Sequence, residues 1–419
     1  MALCQMSLRL LRMTPKYAAR VQTRPLSLHE HESQKLLSQL GVPVPRGQLA
    51  RSVTEVREAI DKLGPKCVIK AQVLGRGRED GEFESGLRGG VQAVEKAKQG
   101  ESMASEMLGS LFRRRYSSPQ GIRVNELYIT ESVESEWNWY LAMMIDRENY
   151  SPAIVISKKG GRDIDAIARL SPESIFTFNF GLSKGITSDL VSEISARLGT
   201  SPRETKNLEH VLQQIFDIFS KRDATMLEIN PLACSADGTL TSIGSRFVFD
   251  NAAAKRQADL FALRDASQDV AEELEAEKHG LVYVKMDGNI ANVVNGAGLA
   301  MATNDAIGFQ GGASANFLDA GGKATKETMQ QAFGIITRDK RVRAILVNIY
   351  GGLTRCDMIA ESIIGAADEL DIRVPMVVRL QGTNSEKGLQ LLEEAKLGLY
   401  VESDFGRAAQ RVVELAESA

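Results

Sequence analysis

The sequence predicts two domains of different class, an α+β domain followed by a doubly wound α/β domain. Three observations predict them. After residue 280, strand-like apolar runs alternate with helical patterns, which implies a parallel sheet covered on both faces. Before residue 264, strands and helices follow one another without that regularity. The 419 residues also exceed a single domain of about 100–200 residues.

In chain order, Leu28, Leu36, Leu37 and Leu40 recur at helical spacing, Gly41 stands where a C-cap is expected, and Pro43 and Pro45 prevent continuation. A second helix fits Thr54 to Leu63. Cys67 to Val73 reads as a strand entering a glycine-rich loop, Gly75 to Gly90. Strands are expected at Leu127–Thr130, Trp139–Ile145 and Ala153–Ile156, and helix over 186–222. A strand pair, Ala224–Ile229 and Leu240–Ile243, flanks a turn with Asp237-Gly238. The charged, helix-prone segment 264–279 reads as a linker between domains at 28–265 and 280–419. Beyond it, strands are expected at Val282–Met286, Ile290–Val294, Ala344–Ile349, Met376–Leu380 and Leu399–Val401. Helices are expected at Leu299–Gly308, Lys326–Thr337, Met358–Leu370, Glu386–Ala395 and Phe405–Ala416.

Composition narrows the function classes. Hydrophobic content of 43% and charged content of 25% suit a soluble globular chain. The net charge of -3 carries no basic stripe, so no nucleic-acid partner is expected, and Arg113-Arg114-Arg115 reads as a solvated face or loop. Cys4, Cys67, Cys234 and Cys356 are far apart and form no C-x-x-C pair, which argues against a zinc ribbon or disulfide scaffold and fits a reducing compartment. No run approaches the ~18 apolar residues of a membrane span, so no membrane partner is expected.

Residues 1–27 differ from the rest. They contain Arg9, Arg12, Lys16, Arg20 and Arg24 and no acidic residue, while Leu8, Leu10, Leu11 and Met13 can share one side of a helix. This is the pattern of a mitochondrial transit peptide, with a disordered basic tail as the other reading. The folded chain is expected to start at Leu28, with cleavage near Leu26–Leu28 and residence in the mitochondrial matrix.

Four glycine-rich loops fall at strand ends or before helices in the second domain: Asn295-Gly296-Ala297-Gly298, Leu318 to Lys323, Tyr350 to Arg355, and Gln381-Gly382-Thr383-Asn384. Glycine lets a backbone approach a ligand, and a following helix offers free N–H groups and the positive end of its dipole. Together on the carboxyl edge of an open sheet, such loops suggest a phosphate or carboxylate site.

The stretches VNGAGLAMAT, ANFLDAGG, VNIYGGLTRCD and VPMVVRLQGTN closely resemble motifs of succinyl-CoA synthetase (succinate–CoA ligase) β-subunits, as do LHEHESQKLLSQLGVPVPRG and DATMLEINPL. The resemblance runs from about Leu28 to the carboxy terminus. It implies an ATP-grasp domain followed by a flavodoxin-like domain. The implied activity is reversible formation of succinyl-CoA from succinate and CoA, driven by ATP or GTP with Mg2+. A phosphohistidine of a partner α-subunit would carry the phosphoryl group, and none of His29, His31, His210 and His279 lies in a glycine-rich loop of this kind. The resemblance places Asn295, Gly352, Leu353 and Thr354 at the substrate site and makes Glu228 the carboxylate facing the phosphohistidine. It makes Lys70, Gly77, Arg78 and Glu131 nucleotide contacts and Asn230 a magnesium ligand.

Several positions depart from the family pattern. Its AGGRGKG loop aligns with Gly75 to Gly81, so Glu79 replaces a glycine and Asp80 a lysine, although a two-residue shift would recover Gly-Arg-Gly at 75–77. Asn138 replaces a glutamate. The magnesium aspartate falls on Gly244, and neither Ser245 nor Asp250 is an obvious replacement. The leading expectation is a ligase subunit active with its α partner; weakened or lost nucleotide turnover is a hypothesis beside it, against a shifted loop or water in place of the lost ligand, and a non-catalytic assembly partner of the α-subunit stands as the alternative function. Malate–CoA and citrate-cleaving relatives stay open within the same class, as do ATP against GTP and αβ against (αβ)₂.

Overall fold

A computed structural model of the chain describes residues 25–114, 121–161, 164–322, 324–370 and 372–418. The transit-peptide reading falls mainly on residues outside these, as do Arg115 and Lys323. The chain divides into two compact units, Pro25–Gln268 and Asp269–Ala419.

The first unit begins with β1 (Leu26–Ser27), α1 (Glu30–Gln39), β2 (Gly47–Ala50), α2 (Val53–Leu63) and β3 (Cys67–Ala71). After the glycine-rich loop come β4 (Glu82–Phe83), β5 (Val91–Val94), α3 (Ala97–Met107), β6 (Leu111–Arg113), β7 (Ile122–Arg123) and β8 (Leu127–Glu131). Then follow β9 (Trp137–Asp146), β10 (Ser151–Ser157), α4 (Ile164–Leu170), β11 (Phe176–Asn179), α5 (Ser188–Leu198), α6 (Pro202–Lys221), β12 (Ala224–Cys234), β13 (Leu240–Ser242), β14 (Ser245–Phe249) and α7 (Ala258–Phe261).

Three antiparallel sheets result. One has seven strands in the order β1-β14-β12-β9-β10-β11, with β13 on β12; one has four, β2-β8-β3-β5; and one has three, β4-β6-β7. The largest core lies between the seven-stranded sheet and α1, α5 and α6, where Leu37, Leu141, Ile194, Leu212 and Phe247 meet. A second core joins the four-stranded sheet to α2 and α3, through Ile60, Ile69, Met107 and Ile129. The expected helical stretch 186–222 is two helices. Gly199 adopts a left-handed φ of 62° that ends α5, and Ser201 opens α6 with a capping box.

The folded chain starts earlier than the sequence suggested. Leu26 and Ser27 pair antiparallel with Phe249 and Val248, and Leu26 is buried. Their strand partner is more than 200 residues away, so no local pattern marked them.

The second unit contains α8 (Ala271–Lys278), β15 (Val282–Lys285), β16 (Ile290–Val294), α9 (Ala297–Phe309), β17 (Asn316–Asp319), α10 (Lys326–Thr337), β18 (Ala344–Gly351), α11 (Cys356–Leu370), β19 (Met376–Gly382), α12 (Ser385–Glu394), β20 (Tyr400–Val401) and α13 (Phe405–Ser418). The strand order is β15-β17-β16-β18-β19-β20. Alternate residues of β18 face opposite cores. Ile345, Val347 and Ile349 meet α10, α11 and α12, whereas Ala344 and Leu346 meet α9 and α13. This is the expected doubly wound α/β arrangement, with two corrections. The sheet is parallel except for its edge strand β15, which runs antiparallel to β17. The expected linker is partly folded: α8 belongs to the second unit and buries Ala276 in its core. Among the described residues, no helix is long and apolar enough to cross a membrane.

Candidate functional site

The first unit gathers its charged groups on one face of β12 and β14. Side chains two residues apart on a strand share a face, which puts Glu228 with Asn230. Across the antiparallel ladder Glu228 pairs with Arg246, and the Asn230 N–H donates to the Gly244 carbonyl (2.9 Å). The buried Glu228 carboxylate lies between two guanidiniums, Arg76 at 3.1 Å and Arg246 at 2.9 Å. Burial alone would raise its pKa, but Arg76 and Arg246 outweigh burial and hold the carboxyl below its ordinary range. Tyr140 on β9 packs beside it, and its phenol is pushed upward by burial and then by the Glu228 charge.

A second carboxylate, Glu30 of α1, organises the other cations. The Lys70 ammonium on β3 donates to Glu30 Oε1 (2.6 Å) and to the Ile243 carbonyl (2.7 Å). Arg78 Nη2 lies 2.5 Å from Glu30 Oε2. Gln34, one helical turn on, donates to Glu30 Oε1 (3.1 Å) and to the Ile243 carbonyl (2.7 Å). Burial would raise Glu30, but Arg78 and then Lys70 bring it below its ordinary value. Lys70 is itself lowered, because burial penalises its charge more than Glu30 compensates.

The glycine-rich loop between β3 and β5 is pinned from outside. Arg114 donates to the Leu74 carbonyl (2.7 Å) and the Arg76 carbonyl (2.9 Å). The basic run at 113–115 is therefore not simply a solvated face, since its second residue fastens this loop. Gly77 sits in the loop at a left-handed φ of 82°.

The expected nucleotide contacts are partly brought together. Lys70 and Arg78 converge on Glu30. Glu131 is at the far end of β8, paired in register with Cys67 and bonded to the Arg46 backbone N–H (2.9 Å) and guanidinium (2.8 Å). Three residues of strand separate its level from Lys70, about 10 Å. Asn230 does not present a free amide: its Oδ1 accepts from the Gly161 N–H (2.8 Å) and its Nδ2 donates to the Gly161 carbonyl (2.9 Å). Asn138 is exposed at the start of β9 and accepts from the Ser135 hydroxyl (3.2 Å). Sequence reasoning missed Glu30, Arg76, Arg246 and Tyr140. Arg76 left one signal, an arginine at a glycine position of the family loop.

In the second unit the four loops are fastened to one another. Asn295 accepts from the Tyr350 N–H and donates to the Tyr350 carbonyl, both at 2.9 Å. One oxygen of Asp319 accepts from the N–H groups of Gly296 (2.6 Å) and Gly321 (2.7 Å). The Thr383 N–H donates to the Gly351 carbonyl (3.1 Å), and its hydroxyl to the Gly352 carbonyl (3.1 Å). The approach of β18 to β19 requires glycine: a Cβ on Gly382, whose φ is 90°, would lie 2.2 Å from the Gly351 carbonyl oxygen. Asn295, Gly352, Leu353 and Thr354 thus belong to one braced edge. Leu353 is exposed, and Thr354 is buried with a hydroxyl that makes no hydrogen bond. Asp319, read only as part of a loop motif, turns out to be the clasp between two loops.

The comparisons with known proteins agree with this division. A family model described as ATP-grasp domain matches residues 27–234, and one described as CoA-ligase matches residues 293–413. The chain is 40% identical over 398 residues to the mitochondrial succinate–CoA ligase [ADP-forming] subunit beta of Neurospora crassa, covering 94% of this chain and 89% of that one. It is 40% identical over 396 residues to the mitochondrial counterpart of Oryza sativa, covering 94% of each. It is 40% identical over 398 residues to the subunit beta of Caulobacter vibrioides, covering 94% of this chain and 100% of that one. Among solved structures, ATP citrate lyase from Methanothrix soehngenii in complex with citrate and coenzyme A superposes with a TM-score of 0.66 at 16% identity, over 94% of this chain and 100% of that one, a likeness of fold.

Proposed function

The chain belongs to the succinate–CoA ligase β-subunit family, and from that membership we propose that it works with an α-subunit to form succinyl-CoA from succinate, CoA and a nucleotide triphosphate in the mitochondrial matrix. The named relatives are ADP-forming, and ATP is the nucleotide proposed here. A histidine of the α-subunit takes the terminal phosphoryl group and passes it to a succinate carboxylate oxygen. The CoA sulfur then attacks the acyl carbon, and phosphate leaves.

The observation that carries this reading is the braced edge of the second unit. Its loops are fastened to one another without a ligand's help, because Asp319 takes up the Gly296 and Gly321 N–H groups, Asn295 that of Tyr350, and Thr383 donates to the Gly352 carbonyl. A backbone braced in this way presents the 352–354 segment to a substrate without reorganising during the reaction. Gly352, Leu353 and Thr354 are the proposed substrate contacts, with Asn295 holding their strand end in place. In the first unit Lys70, Gly77, Arg78 and Glu131 are the proposed nucleotide contacts, and Glu228 is the carboxylate that meets the partner's histidine. Magnesium accompanies the nucleotide in the family as a counter-ion of the polyphosphate. The seat it would need on this chain, at Asn230 and Gly244, does not fit it, because both atoms of the Asn230 amide are bonded to the Gly161 backbone and Gly244 has no side chain.

The test is thiol-detected CoA consumption by the coexpressed αβ pair, with succinate and with ATP or GTP in parallel. Succinate-dependent loss of thiol with ATP is the expected result. A stable complex that consumes no CoA with either nucleotide, while its α-subunit is active with another β-subunit, would overturn the proposal.

A further inference from the structure

The resemblance puts a magnesium seat at Asn230 and position 244, and the residues there do not fit the ion. Gly244 faces Asn230 across the β12–β14 ladder, and its Cα is packed against that neighbour: a Cβ there would lie 2.3 Å from the Asn230 carbonyl oxygen and 3.0 Å from the carbonyl carbon. The position lacks a side chain and also lacks room for one in this backbone. The Asn230 side-chain amide is committed through both its atoms to the Gly161 backbone, where it fastens the loop after β10. Ser245 is the next residue of β14 and so lies on the opposite face. Asp250, at the far end of β14, caps the following turn by accepting from the Ala252 N–H (2.9 Å). Among the described residues, no group of three or more His, Cys, Asp or Glu side chains gathers to hold a metal ion.

Positive charge is nevertheless abundant on this face, and it comes from arginine. Glu228 is opposed by Arg76 and Arg246, and Glu30 by Lys70 and Arg78. Two further carboxylates stand at the edge of these clusters, Asp165 by Arg76 and Glu79 by Arg78 at 4.0 Å, so the cations are held close to neutral until a phosphate arrives. Arg76 is the accessible member, with 39% of its side chain exposed, and a carboxylate at 3.1 Å orients its guanidinium. Asp165 lies further off, at 3.8 Å. Arg114 holds the Arg76 backbone in place from the other side. A guanidinium supplies fixed charge and a planar fork that matches two phosphate oxygens, with no coordination shell to build.

We propose that the first unit binds nucleotide phosphates without magnesium, with the Arg76 guanidinium supplying beside Glu228 the positive charge that a divalent cation would otherwise bring. This rests on the reading of the first unit as a nucleotide site.

The experiment is calorimetric titration of ATP into the purified chain, once in excess EDTA and once in excess magnesium chloride. The dissociation constants are expected to agree within about twofold. Arg76→Gly is expected to weaken binding by about tenfold or more in both media, the worth of one charge-assisted contact to phosphate. Arg76→Lys, which keeps the charge and loses the fork, should fall between. Unchanged tryptophan fluorescence in the two variants checks that the unit is folded, since both tryptophans lie on β9. Tightening by magnesium of about tenfold or more would overturn the proposal, as would an Arg76→Gly variant that binds like the parent, or absence of binding in both media. Capture of the α-subunit reads the family assignment separately. A chain that captures the α-subunit yet needs magnesium for ATP refutes only the arginine substitution for the metal.

Discussion

Replacing Glu30 by glutamine is expected to destabilise the first unit strongly. The Glu30 carboxylate lies 2.6 Å from Lys70 Nζ and 2.5 Å from Arg78 Nη2, and Lys70 and Arg78 have side chains only 3% and 15% exposed. A buried ion pair adds little against an apolar alternative, because desolvation of the charges offsets their attraction. Removing one partner is different, since the remaining charge stays buried and uncompensated, at a cost of about 3–5 kcal/mol. Glu30→Gln leaves two such cations. Lys70 can escape by losing its proton, because burial already lowers its pKa, whereas Arg78 cannot. The cost is therefore expected at about 3–5 kcal/mol rather than twice that. Urea unfolding followed by tryptophan fluorescence reads it selectively, because both tryptophans of the chain, Trp137 and Trp139, lie in the first unit and Trp139 is fully buried. With a urea slope near 3 kcal/mol per molar, the midpoint should fall by about 1–1.7 M. A fall below about 0.3 M would refute the claim that Glu30 compensates these cations.

The same cluster sets a pH dependence. Glu30 and Glu228 both have folded pKa values below the ordinary 4.5, so their contribution is present above 4.5 and is lost as the pH falls through the folded values. The parent should lose melting temperature steeply below about pH 4.5, and Glu30→Gln less steeply; parallel curves would count against the cluster. In the second unit, Asn295→Ala removes both bonds to the Tyr350 backbone. It should lower the melting temperature by roughly 2–4 °C and reduce succinyl-CoA formation by the αβ pair, and unchanged turnover would show that the clasp does not position the substrate loop. Gly382→Ala forces a Cβ into the Gly351 carbonyl at a left-handed φ, a strain of about 1–3 kcal/mol. It should separate the ends of β18 and β19, seen as faster hydrogen exchange at the Thr383 N–H, and parental exchange there would contradict the close approach.

Much of the architecture was legible in the sequence, because it rests on local periodicity. The β–α alternation after residue 280 follows from strands buried on both faces and helices buried on one. The α10 pattern, Lys326–Thr337, coincides with the observed helix. The loops at Asn295, Leu318, Tyr350 and Gln381 were visible because glycine clusters mark tight strand-to-helix turns, and Asn295 and Thr354 came with them. Among the features that escaped, three did so because their evidence lies across the chain. The four-residue β17 and the two-residue β1 are too short to show a period, and only pairing with distant strands makes them strands. The linker helix α8 shows little apolar pattern, and only its contact with the second unit's core places it.

The first unit's site divides in the same way. That Gly244 lacks a ligand oxygen, and that Arg76 stands in a glycine-rich loop, are facts of sequence. That Gly244 has no room for a side chain depends on the Asn230 carbonyl across the ladder. That Lys70 and Arg78 meet Glu30, 40 and 48 positions away, depends on how α1 packs against the β3 sheet. The sequence by itself determined which chemical groups this protein has and which elements carry them. Only the tertiary structure decided which charges face one another, because Coulomb energy and desolvation depend on separation and burial in space, and position along the chain sets neither.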